Sequence, residues 1–206
     1  MKQTVAASAL ILLALLFLLA QSTATSLIQT NPVFDNSGAQ AGLDQRPLNL
    51  PALRTGGRCP ISKGSLQTVP HVPYIFCSAC VWFGKGPAYF ALTFHDMHSE
   101  DATLTLETMP PEDGAYRAKT PWVSKPDYSG PILIRGRRLD AKGVLRFRAA
   151  SPTPDEKLQL DAGPGPDPTH WSFWPTSMYL PGPGCYGIQI DTLQGTDVVV
   201  FSATMH

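Results

Sequence analysis

Proline and glycine interrupt this chain so often that a long helix has little room in it. The 206 residues include 20 prolines and 17 glycines. Proline lacks a backbone donor and clashes inside a helix, so Pro110-Pro111, Pro152–Pro154 and Pro164–Pro168 end any helix that reaches them. Beyond the leader, no segment keeps an apolar stripe at helical spacing for three turns. What lies between the breakers is short, β-branched and aromatic, which suits strands. The candidates are 74–83, 88–95, 103–108, 132–139, 144–149, 172–179, 185–192 and 197–203. Thr103-Leu104-Thr105-Leu106 and Ile188-Gln189-Ile190-Asp191 alternate apolar and polar as half-buried strands do. Leu193-Gln194-Gly195 supplies a turn between the last two candidates, which therefore read as a hairpin. The expected fold is all-β: a single antiparallel β-sandwich over residues 59–206.

The first residues have another purpose. Lys2 places a positive charge ahead of an apolar run from Ala9 to Ala20, and Gln21-Ser22-Thr23-Ala24 follows with small residues. That order describes a secretory signal peptide over residues 1–24, cleaved after Ala24. The competing reading, an uncleaved anchor, has only 12 apolar residues where a spanning helix needs about 20. The expected location is secreted or periplasmic, with no membrane span after cleavage. From 25 to 58 the chain is rich in Asn, Gln, Ser, Gly and Pro, and its apolar residues follow no period. This stretch reads as a flexible arm or linker.

Charge names no partner. Loss of Lys2 leaves 15 basic against 16 acidic residues, so a nucleic-acid partner, which needs a basic excess, is not expected. Arg135-Gly136-Arg137-Arg138 is the one concentrated basic patch, and its plain interpretation is a solvated strand end.

An exported chain with Cys59, Cys77, Cys80 and Cys185 favours disulfides, and four cysteines allow three pairings. Cys59–Cys185 with Cys77–Cys80 is preferred; the other pairings stay open. The Cys77-Ser78-Ala79-Cys80 spacing suits a redox site only at a helix start, and its flanks are strand-like.

Catalytic signatures are sparse. His95 and His98, with Asp96, Glu100 and Asp101 nearby, form the densest run of metal-ligating groups. A polar turn explains the run equally well. No cofactor is expected. The prolines around 109–130 and 150–171 read as long loops, where binding surfaces commonly sit. Trp122, Tyr128 and Tyr116 in one, and Trp171 in the other, are the candidate platform for an extracellular glycan or protein. The competing fate is that Trp122 and Trp171 plug the ends of the core. The preferred function is therefore a non-catalytic binding or structural module. The alternative is a metal-dependent or hydrolytic enzyme built on His95, His98 and neighbouring acids.

One resemblance narrows this. Lys119-Thr-Pro-Trp122 leads to Gly130-Pro-Ile-Leu-Ile-Arg-Gly-Arg-Arg-Leu-Asp140, and Pro181-Gly-Pro-Gly-Cys-Tyr186 precedes the final hairpin. With Val81-Trp-Phe-Gly-Lys-Gly-Pro87, these segments resemble a family of uncharacterised secreted bacterial proteins. Tyr186 stands where those proteins more often have Trp, and Cys77 and Cys80 look like additions. The resemblance implies an immunoglobulin-like sandwich exported from a bacterium, and it implies no activity.

Overall fold

The computed structural model describes residues 37–54, 56–69, 79–92, 99–106, 111–112, 114–163, 167 and 169–205. They form one short helix, α1 (Ser37–Asp44), and fourteen strands. The chain is a β-sandwich. Its largest sheet joins β10 (Lys157–Ala162), β8 (Gly130–Arg138), β13 (Gly184–Thr192), β14 (Gly195–Thr204) and β4 (Thr103–Thr105), in that order. Each pairing is antiparallel except β14 with β4, which is parallel, a departure from the expected antiparallel plan. The expected hairpin is present: β13 and β14 pair from Gly184↔Ala203 to Thr192↔Gly195 around Leu193-Gln194.

Two smaller sheets face the same core. One runs β5 (Pro111–Glu112), β6 (Ala115–Lys119), β12 (Ser177–Leu180) and β9 (Arg146–Arg148). The other runs β11 (Ser172–Trp174), β7 (Trp122–Ser124) and β3 (Ala88–Phe90). Alternation decides what they bury. Ile132 and Ile134 of β8, Leu158 and Leu160 of β10, Ile188 and Ile190 of β13, and Val199 and Phe201 of β14 point inward. They meet Ala118, Met178, Leu180 and Phe147 from one small sheet, and Phe90 and Trp122 from the other. Each large side chain withdrawn from water in this way contributes about 1.5–3 kcal/mol.

A second apolar cluster lies apart from that core. Trp82, Tyr89, Ala91 and Val123 bury together with Val69, and Trp171 and Phe173 pack against them. Trp82 closes β2 (Ala79–Trp82), the partner of β1 (Ser65–Thr68).

Proline misled the loop reading. The expected loop 109–130 contains β5, β6 and β7, and the expected loop 150–171 contains β10. Among the described residues, Pro111 lies in the edge strand β5 and Pro121 between β6 and β7, where no ladder bond is lost. The single strand expected over 172–179 is two, β11 and β12, divided at Pro175-Thr176 and belonging to different sheets.

Candidate binding groove

The outward face of the large sheet carries the polar members of its alternating strands, yet several are buried. Asp191 is fully shielded and Gln189 nearly so, as is the apolar Leu133. The cover comes from residues 37–62, which overlap the stretch expected as an arm. Leu43 of α1 is itself fully buried. This strap crosses the sheet strand by strand. At its start Lys157 of β10 donates to Asp44 at 2.7 Å. Arg46 then donates to the Thr192 carbonyl at 2.9 Å and the Gly195 carbonyl at 3.1 Å. Next, the Asn49 N–H donates to the Gln189 side chain at 2.6 Å, while Gln189 donates to the Pro47 carbonyl at 3.0 Å. Cys59 forms a disulfide with Cys185 of β13. Finally Ser62 exchanges bonds with Val200: its N–H donates to the carbonyl and its hydroxyl accepts from the N–H.

Beneath the strap, Asp191 is the centre of a buried polar network. Its carboxylate accepts from Arg135 at 2.7 Å, from Thr196 at 2.6 Å and from Gln189 at 2.9 Å. Arg46 stands 3.8 Å away as a second cation. A buried carboxylate persists only when paired and hydrogen-bonded, and this one is. The network therefore fastens the cover, and it leaves the Asp191 carboxylate fully engaged.

Where the strap passes the turn between β8 and β9, the two do not close on each other. They leave a groove of about 590 Å³. Leu48, Pro51, Ala52 and Leu53 form one wall; Arg137–Leu139 and Ala141–Val144 form the other. The turn is stiff. The Arg138 N–H donates to the Gly143 carbonyl, the Leu139 N–H to the Cys185 carbonyl, and the Arg138 side chain to Asp140 at 2.7 Å. That last bond is the main reason the Asp140 carboxyl lies below its ordinary pKa. Gly184 leaves room beside it for the Arg138 side chain, which a Cβ there would push aside. Arg137 and Lys142 project on the exposed side of this wall without an anionic partner among the described residues. Val144 keeps 46% of its surface exposed although it is apolar. The groove thus combines aliphatic walls with two uncommitted cations.

The basic patch of residues 135–138 divides its labour. Arg135 holds Asp191, Arg138 holds Asp140, and Arg137 lines the groove. The aromatic platform is not assembled. Trp122 is 1% exposed and stacks on Phe90 at 4.8 Å inside the core. Tyr128 is buried, donating to the Pro131 carbonyl at 2.6 Å and accepting from the Leu193 N–H at 3.3 Å. Burial pushes its phenol above the ordinary tyrosine value. Tyr116 packs half-buried on the main core, and Trp171 lies 6.0 Å from Tyr89 in the second cluster. Trp122, Tyr128 and Tyr116 belong to the main core and Trp171 to the second cluster, so the four form no common platform. His95, His98 and Cys77 lie outside the described residues, as does the side chain of Cys80. The strap wall had no sequence signal beyond leucines scattered among prolines.

No protein-family model matches the chain, and no curated protein does. Among solved structures it is similar to the ASH / PapD-like domain of human CEP192, PapD-like domain 7, at 9% identity. That match has a TM-score of 0.28 and covers 60% of this chain and 90% of that one. A β-glucosidase from Listeria innocua, solved with laminaribiose and with glucose, is 13% identical with a TM-score of 0.23. There 70% of this chain spans 22% of the other.

Proposed function

We propose that this protein is an exported, non-catalytic β-sandwich module that works by binding, and that the groove beside the strap is where it binds. The observation that carries the reading is the strap itself. It is locked to β13 by a disulfide, a bond that persists in oxidising compartments outside the cytosol. It also builds one wall of a recess whose opposite wall is an exposed apolar residue flanked by cations. A volume of about 590 Å³ falls within the range of small-ligand sites. The leader-like start of the chain and the resemblance of its Gly130–Asp140 and Pro181–Tyr186 segments to secreted bacterial proteins with an immunoglobulin-like sandwich agree with this reading.

Expression with the native leader in a bacterial host tests the export half. The expected product is periplasmic or secreted, begins at Thr25, and contains the Cys59–Cys185 bridge by non-reducing peptide mapping. A full-length, reduced protein confined to the cytoplasm contradicts it.

A further inference from the structure

The groove's chemistry says more than that something binds there. We propose that it takes an extended peptide in which an acidic side chain neighbours an aliphatic one; this rests on the groove being a binding site at all. Three observations converge. The cations Arg137 and Lys142 are exposed on one wall and have no anionic partner among the described residues, whereas Arg138 between them is already bound to Asp140. A planar guanidinium with free donors can hold a carboxylate through two parallel bonds. Beside these cations, Leu53, Leu139 and Val144 offer aliphatic surface, with Val144 46% exposed. An anion with no apolar part would leave that surface in water.

The third observation favours a peptide over an acyl chain. Residues 47–54 of the strap are neither helix nor turn, and the N–H groups of Ala52 and Leu53 donate to no protein acceptor among the described residues. An extended peptide can meet such groups with its carbonyls while alternate side chains enter the groove. An acyl chain gains about 0.8 kcal/mol per methylene only when it leaves water, and an open groove does not enclose one.

The test uses the mature, full-length, disulfide-intact protein and fluorescence polarisation of a labelled octapeptide alternating leucine and glutamate. Parallel arms replace glutamate with glutamine, or offer laurate or phosphatidylglycerol vesicles as competitors. The leucine–glutamate peptide should bind, more tightly as salt is lowered. The paired change Arg137→Gln with Lys142→Gln should weaken it about tenfold, as should Val144→Asp. All three residues are surface-exposed, so an unchanged Tm checks that each variant is folded. Equal binding of the glutamine peptide, or displacement of the bound peptide by laurate or by vesicles, overturns the acidic-peptide assignment while the groove stands as a binding site. If the wild type binds none of the probes, the binding reading falls with it.

Discussion

Two sheets of this molecule have outward faces that are covered, and the covers are built from opposite materials. Over the three-stranded sheet the cover is apolar: Trp82 and Val69 bury with Tyr89 and Val123 of the sheet, and Trp171 packs against them. Over the five-stranded sheet it is a strap held by a disulfide, a buried carboxylate network and a succession of side-chain bonds. Apolar burial is non-directional and tolerates small shifts. Polar fasteners fix position, because each donor must meet its acceptor within a few tenths of an ångström. The difference explains why the groove lies at the strap and not at the aromatic cluster. A cover fixed at separate points can bridge a gap, whereas an apolar cover gains stability only by closing it.

Substitutions in the two covers should fail in different ways. The largest effect belongs to the disulfide. Replacing Cys59 and Cys185 together with serine removes a link between residues 126 apart in sequence. The chain-entropy estimate for that loop is about 4–5 kcal/mol, read as a lowered urea midpoint. Trp82→Ala should cost about 3–5 kcal/mol through the cavity left in the apolar cover, without loosening residues 37–62 to protease. Asp191→Ala should cost a similar amount, about 3–5 kcal/mol, because Arg135 keeps its buried charge and loses its partner. In contrast to Trp82→Ala, it should open the strap to thermolysin, which cuts ahead of leucines such as the buried Leu43 and Leu50.

Alkali should weaken the body without singling out the strap. The Tyr128 and Tyr186 phenols are raised chiefly by burial. Below about pH 10 both the folded and unfolded chains hold these protons and the contribution is complete. Above it the unfolded chain ionises first, so stability falls as pH rises towards the higher folded values. Urea midpoints measured between about pH 9 and 11 should therefore decline, less steeply in Tyr186→Phe. The smallest effect is expected at Lys157→Ala. Its ion pair with Asp44 is solvent-exposed, with the lysine side chain 47% accessible, and should count for less than about 0.5 kcal/mol.

The sandwich was legible where alternation was clean. The alternating Ile188 to Asp191, the Leu193-Gln194-Gly195 turn and the apolar run Val198 to Phe201 mark the hairpin, and the preferred Cys59–Cys185 pairing is the one formed. Lys157-Leu158-Gln159-Leu160-Asp161-Ala162 alternates just as well, with Leu158, Leu160 and Ala162 inward. It was obscured because prolines on both sides suggested a loop. The strap was illegible for a different reason. Leu43 and Leu50 are single anchors on a face defined by other strands, so no local period marks them. The basic patch at residues 135–138 reads as a solvated strand end, yet its Arg137 and Arg138 line the groove. The opposite wall, Leu48 to Leu53, acquires meaning only once the strap lies across β13.

Everything proposed for the groove depends on the strap being a fixed wall. Amide hydrogen exchange on the oxidised protein tests that directly. The amides of Asn49 and Ser62, bonded to Gln189 and Val200, should be strongly protected, and Gln189→Ala should release Asn49 while Ser62 stays protected. If Asn49 and Ser62 exchange in the wild type as fast as in an unstructured peptide, residues 37–62 do not cover the sheet and the account is wrong.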